Sequence, residues 1–305
     1  MNVLVSGSHG LIGSALVTAL AARGHRVTRL VRAARVPSTD EVGWDPGAGR
    51  IETAALQHVD AVIHLAGESI AGRWTAAKKA RIRDSRVLGT RTIAGALARL
   101  DRRPRVFVCA SATGYYGDRG DEVLVEDSAP GDGFLAGVCR DWEAAASPAR
   151  DAGIRVVQLR NGLVLSPRGG ALARLVPLFR LGLGGRLGSG RQVVPWIALD
   201  DEVGAILHAL SRDDLRGPVN FVSPGPVTNR DFTAALARVL HRPAVFTVPA
   251  AALRLALGEF AGELLASQRV QPAKLLAGGY GFRFPDLEAA LRHLFESPPA
   301  PGSPG

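Results

Sequence analysis

Near its start the chain reads Val3-Leu4-Val5-Ser6-Gly7-Ser8-His9-Gly10-Leu11-Ile12-Gly13, and no other stretch constrains the fold as much. An apolar run leads into three glycines spaced G-x-x-G-x-x-G. Leu11, Ile12, Ala15, Leu16, Ala19 and Leu20 then follow at helical spacing. This order predicts a buried strand, a tight turn and the first turns of a helix. In such a unit Gly7 permits the sharp turn and Gly10 lets the backbone approach a pyrophosphate. Gly13 lets the helix pack closely on the strand, with its N-terminal amides facing the phosphates. Ser8, Leu11 and Ile12 would line the same turn. Three spaced glycines also occur in turns that hold no ligand. The preceding strand and following helix are what favour a dinucleotide site here.

The downstream pattern alternates in the same way. Arg26 to Val31 reads as a second strand, and the residue after it bears on cofactor choice. Dinucleotide sites selective for NAD place Asp or Glu there, to bond the ribose hydroxyls. This chain has Arg32, with Arg35 following and no acid before Asp40, so the expected cofactor is NADP, a guanidinium meeting the 2′-phosphate. The plainer alternative is a solvated arginine at a strand end. Residues 33–58 read as a loop-rich excursion with a turn at Trp44-Asp45-Pro46-Gly47. Asp60 to Gly67 is a third strand whose end, Leu65, Ala66 and Gly67, would lie against the cofactor; His64 within it reads as a packed residue. A helix over 75–100, broken near 83–85, precedes a strand over 106–111, with Thr113-Gly114-Tyr115-Tyr116-Gly117 just past its end. Then come a loop over 118–133, a helix over 136–151 and a strand over 154–160. The alternation predicts an α/β, doubly wound, mainly parallel sheet.

Beyond residue 165 the pattern changes, and the expected division is a nucleotide-binding domain (1–165), a smaller lobe sharing part of the sheet (166–295) and a proline-rich disordered tail (296–305). In the lobe, Gly188-Ser189-Gly190 precedes Arg191, Gln192 and Trp196. That stretch reads as a cap over a substrate cleft, with a surface hairpin carrying one buried tryptophan as the equal alternative.

An apolar content of 47% is ample for a core, and no apolar run approaches the length that spans a bilayer. The net charge of +9 comes almost wholly from scattered arginines; only Lys78, Lys79 and Lys274 are lysines. Neither a nucleic acid nor a membrane is therefore expected as a partner. Arg86, just past the basic run 78–83, is a candidate for cofactor contact. Cys109 and Cys139 match no metal or disulfide pattern, so no metal is expected and a cytoplasmic location is the default.

Taken together, the glycine motif, Leu65-Ala66-Gly67, Ser111 to Gly117 and Arg160-Asn161-Gly162-Leu163-Val164-Leu165 resemble the extended short-chain dehydrogenases/reductases. Ala66-Gly67-Glu68, Arg73-Trp74-Thr75, Ser85-Arg86, Asp141-Trp142-Glu143 and Gly188 to Gln192 narrow the resemblance to their atypical epimerase-family branch. The resemblance implies a Rossmann fold, NADP, and Gly162 and Leu163 beside the cofactor. Ordinary members of that group carry a Tyr and a Lys four residues apart as the acid–base pair. Anchored on Glu143, those positions fall here on Leu135 and Cys139, which can neither donate a proton nor supply a fixed ammonium.

Two functions are therefore carried forward. One is an NADP-dependent oxidoreductase or epimerase acting on a small polyol or nucleotide-sugar-like substrate, with Ser111, Tyr115 and Tyr116 as candidate proton donors and Glu143 behind them. The other is an NADP-binding sensor or scaffold that performs no chemistry.

Overall fold

Along the first strand, Asn2–Ser6, Val3 and Val5 enter one hydrophobic core and Leu4 enters another. A strand that is apolar on both faces must be covered on both, and here it is. The computed structural model describes residues 1–32 and 40–296. Its main sheet has eight strands. Gly217–Phe221 forms one edge, followed by Arg155–Asn161, Val106–Ala112, Ala61–His64, Asn2–Ser6, Arg26–Arg32, Glu41–Asp45 and finally Arg50–Ile51. Every pairing is parallel except the last, a hairpin. The sheet is thus α/β and doubly wound, and the strand order turns back at Asn2–Ser6, between Ala61–His64 and Arg26–Arg32. Ligand crevices form at the carboxyl ends of strands at such a switch point.

Helices Leu11–Ala21 and Leu199–Ser211 pack on the Val3/Val5 face, and helices Ala76–Ala98 and Ser147–Asp151 on the Leu4 face. A third core gathers helices Gly170–Arg180, Asn229–Val239 and Leu287–Glu296 around Trp196. Glu296 thus closes a helix, while the rest of the expected tail lies outside the described residues. Among the described residues no helix is long and apolar enough to cross a membrane.

Three local expectations are corrected. The excursion before residue 58 contains two strands, because Val42 and Trp44 alternate into the core while Asp45 caps the turn by accepting from Ala48 N (3.1 Å). Helix Ala76–Ala98 runs unbroken through residues 83–85, since the Ser85 hydroxyl donates to the carbonyl of Ile82 within the helix. The helix expected over 136–151 is two, Phe134–Ala144 and Ser147–Asp151, and Pro148 sits in the first turn of the second. Proline has no N–H for a continuous helical ladder but suits a first turn.

One carboxyl is enclosed by this packing without a charged partner. Glu202, on Leu199–Ser211, is fully buried, and burial pushes its pKa up to about 8. Oε1 accepts from the Asn161 amide at 3.2 Å when that amide is turned to satisfy both of its ends; Oε2 has no hydrogen-bond partner among the described residues. The folded protein therefore holds this proton more tightly than the unfolded chain. The stability it contributes is complete below the unfolded carboxyl pKa and is lost as the pH rises through the folded value. Glu202→Gln cannot ionise and is expected to gain on the parent in urea denaturation between about pH 5 and about pH 9, by a few kcal/mol at most. A stability difference that does not change with pH would refute this.

Candidate functional site

The glycine turn is as tight as a backbone allows. Gly7 lies at φ +69°, and a Cβ there would stand 2.8 Å from the backbone of Leu65 and Ala66. On Gly13 a Cβ would meet the carbonyl oxygen of Gly7 at 2.1 Å, so only glycine lets the helix approach this closely. Gly10 N donates to Gly7 O (2.9 Å), closing the turn. Helix Leu11–Ala21 then begins with no side-chain cap and no acidic residue in its first turn. Its first amides thus point outward as anion donors. Above them a cleft of about 280 Å³ is lined by Gly7, Gly10, Leu11 to Gly13, Leu65, Gly162 and Leu163. Val164, Gly170 and Ala171 also line it, and sequence reasoning had not singled them out as cofactor contacts. The bare backbone, small residues and uncapped helix fit a dinucleotide pyrophosphate. Ser8, at the same turn, is buried.

Past Ala61–His64 the chain continues through half-buried Leu65 and Ala66 to exposed Gly67. The Arg86 guanidinium stands 3.6 Å from where a Gly67 Cβ would be. Its Nη1 donates to the carbonyls of Glu68 (2.9 Å) and Ile82 (3.1 Å), and the group lies 5.0 Å from the Trp142 ring. Burial holds it below the ordinary guanidinium value, and among the described residues no carboxylate is ion-paired with it. Arg32 ends its strand exposed, close enough to the Glu68 loop to join Lys78 and Arg81 in lowering the Glu68 carboxyl. Arg35 lies outside the described residues. His64 is fully buried and within 2.6 Å of the Ser6 hydroxyl, and burial lowers its pKa to about 3: a packed residue.

Beside the cleft, at the end of Val106–Ala112, a polar network is buried. Ser111 Oγ donates to Glu143 Oε1 at 2.7 Å, and Arg160 grips the same carboxylate with two bonds, Nε to Oε1 (2.8 Å) and Nη2 to Oε2 (2.9 Å). Arg160 Nη1 donates onward to the Tyr116 hydroxyl (3.0 Å), which donates to Asn220 Oδ1 (2.7 Å). Tyr116 is fully buried, and burial, partly offset by Arg160, pushes its pKa up to about 12. Its hydroxyl is engaged within the core, donating to the carbonyl of Val125 (3.1 Å) as well as to Asn220. Tyr115 differs. It is half-buried, its ring lies 3.5 Å beneath the Arg160 guanidinium, and its hydroxyl has no hydrogen-bond partner among the described residues. The pairing of Glu143 with Arg160 was not legible in the sequence. The available signal was an arginine within the apolar strand Arg155–Asn161, which needs an acid to be buried.

On the lobe, the expected cap residues separate. Trp196 is fully buried, donates to the carbonyl of Gly225 (2.9 Å) and anchors the third core, as the hairpin alternative expects. Gln192 is buried too and braces its loop by donating to Leu187 O (3.1 Å) and Leu264 O (3.4 Å). Arg191 alone remains exposed, between the left-handed Gly190 and the start of the short strand Val193–Val194.

Residues 3–222 match the model of the NAD dependent epimerase/dehydratase family, and residues 248–294 match a domain of unknown function. An epimerase family protein of Mycobacterium tuberculosis is 47% identical over 298 residues, covering 97% of this chain and 98% of that protein. The crystal structure of human epimerase family protein SDR39U1 with NADPH superposes at a TM-score of 0.88 with 36% identity, covering 97% of this chain and 99% of that one. A nucleoside-diphosphate sugar epimerase structure from Corynebacterium glutamicum gives 0.79 and 39%, covering 96% of this chain and 57% of that one.

The Glu143–Arg160 pair offers a direct test of the buried network. Removing one partner of a buried ion pair strands the other charge. Glu143→Ala is therefore expected to lower unfolding free energy by about 3–5 kcal/mol, against about 1–3 kcal/mol for Ser111→Ala, which strands one hydrogen bond. Equal, small losses in both variants would mean that the pair is hydrated.

Proposed function

The chain belongs to the NAD dependent epimerase/dehydratase family, and from that premise we propose that it binds NADP(H) across the glycine turn as an oxidoreductase or epimerase. Its substrate on this reading is a small polyol or nucleotide-sugar-like molecule. The observation that carries the reading is the cradle itself, a helix start without a cap held against a strand end by two glycines with no room for a Cβ. Once bound, the dinucleotide supplies the hydride chemistry. The protein's own part is to bind, orient and move a proton. Gly7, Ser8, Gly10 and Leu11 to Gly13 hold the pyrophosphate, Leu65, Ala66, Gly67, Gly162 and Leu163 form the walls, and Arg86 offers its spare N–H groups at one side. Arg32 meets the 2′-phosphate. Ser111 and Tyr115 are the proton donors at the strand end, the Ser111 hydroxyl being oriented by its hydrogen bond to Glu143. Arg191 is the lobe's contact with substrate.

The second reading, a sensor or scaffold, has one observation in its favour. Leu135 and Cys139 stand on helix Phe134–Ala144 where the resemblance places the usual Tyr and Lys, and burial pushes the Cys139 thiol up to about 12, neither an acid nor a charge. The free thiols of Cys109 and Cys139 suit the cytoplasm, and nothing in the arrangement calls for a nucleic acid.

Cofactor choice is tested by titration. NADPH should bind more tightly than NADH by about 1.5–3 kcal/mol, the worth of a charge-assisted hydrogen bond, and Arg32→Ala should erase most of that difference with the fold intact. Arg32→Ala with Arg35→Ala is the stricter control, and equal affinities in the parent protein would refute the assignment. Catalysis is tested by NADPH oxidation against aldehydes, ketones and sugar nucleotides. Tyr115→Phe should cut turnover at least tenfold, about 1.4 kcal/mol, while leaving NADPH affinity unchanged. No oxidation with any member of the panel would favour the sensor.

A further inference from the structure

Two acid-free stretches of the lobe carry arginines. Between Asn161 and Asp200 the chain has no acidic residue and five arginines, and between Asp231 and Glu259 it again has no acid and three arginines. The fold brings these two stretches together. Strand Gly185–Leu187 pairs in parallel with Phe246–Val248, Gly185 opposite Phe246, and Arg242 Nε donates to Arg180 O at 3.1 Å.

At this junction the surface is also apolar. Leu178 is 48% exposed, Leu181 72%, Leu183 55%, Val245 78% and Phe246 50%. They are contiguous. Leu183 N donates to Leu178 O (2.9 Å) in the turn that ends helix Gly170–Arg180, and Leu183 lies two residues from the strand that pairs with Phe246. Beneath them Phe179 is buried, so the turn is anchored and the outer side chains project from a fixed base. Arg180, Arg186, Arg230 and Arg242 are exposed around the patch, Arg186 and Arg230 flanking Gly190. None of the four forms an ion pair among the described residues. The nearest acids are engaged, Asp231 with the Thr228 cap and Glu288 with Arg238 and Arg292.

We infer that this face docks on an anionic lipid surface, the aliphatic and phenyl groups entering the headgroup–acyl boundary while the arginines meet lipid phosphates and carboxylates. Exposed apolar patches of this kind mark interaction sites. Two features select the partner. The projecting groups are Leu, Val and Phe without polar handles, which suits acyl chains better than a polyanion's sugar–phosphate edge. The surrounding unpaired cations repel a second copy of the same face. The docking needs no spanning helix and is independent of the reaction at the nucleotide cleft.

Co-sedimentation with vesicles tests this. The full chain is expected to bind phosphatidylserine/phosphatidylcholine vesicles at low salt, with binding that falls steeply as salt rises, and to ignore vesicles of phosphatidylcholine alone. Leu181→Ser with Phe246→Ser, and separately Arg180→Gln with Arg242→Gln, should each weaken binding at least tenfold, with melting temperature and NADPH affinity unchanged. The arginine pair keeps the test open if the apolar pair fails to fold. Failure of the folded parent to bind anionic vesicles would overturn the proposal, as would binding that both double variants retain. Displacement from vesicles by an equal mass of oligonucleotide would reassign the patch to polyanions. Concentration-dependent dimerisation abolished by the apolar pair would reassign it to a second copy.

Discussion

The rest of the structure depends on one backbone contact, the approach of the first helix to the turn that precedes it. With Gly13 set against the Gly7 carbonyl, helix Leu11–Ala21 lies close over the strand ends and its first amides face the switch point of the sheet. Any side chain at Gly13 would push the helix outward and turn those amides away. The same approach lets Leu16 and Leu20 reach Val3 and Val5, so the cradle and the core are one packing arrangement. A binding loop resting on such a contact is rigid, which lowers the ordering cost of taking a ligand.

Beside the cradle, Arg160 does comparable work by electrostatics. A buried guanidinium is tolerated only when nearly all its donors are used. Here Glu143, Tyr116 and the carbonyl of Glu126 use them, and its face covers Tyr115. The chain around Tyr116 is thereby tied to the strand Gly217–Phe221 through Asn220, and Glu126 adds a bond to Asn220 N (3.1 Å). That network joins the late strand to the early sheet, and it takes in the Ser111 hydroxyl while leaving that of Tyr115 without a partner among the described residues.

How much of this was legible follows from what fixes each residue's role. The glycines could be read because backbone geometry within thirteen residues decides them. The mainly parallel, two-sided sheet followed from alternation, and Arg32 was locatable by counting from Gly13. For Trp196 and Gln192 the sequence left cap and hairpin open because their partners, Gly225 and Leu264, lie 29 and 72 residues away, and a tryptophan near glycines looks alike whether it meets a ligand or a core. Tyr115 and Tyr116 are adjacent and chemically identical. Only the turn Thr113–Tyr116, which sends one inward to Asn220 and leaves the other at the rim, separates them. The strand Glu41–Asp45 was missed because five residues with a central glycine carry too little periodicity to be told from a loop.

Alternation along a single strand also explains how charge is distributed around the cleft. Arg160 and Asn161 are neighbours and so face opposite sides of the sheet. On the Arg160 side stands an ion pair with Glu143; on the Asn161 side stands Glu202, fully buried. Only the first of these acids is given a cation, and burial raises the pKa of the second to about 8. The ion pair, with Ser111 and Tyr115, stands on the side of helix Phe134–Ala144, and the buried carboxyl on the side of helix Leu199–Ser211. On the reading proposed above, this asymmetry sets the candidate hydroxyl of Ser111 on the ion-paired face, where it donates to Glu143, and leaves the Glu202 face to packing.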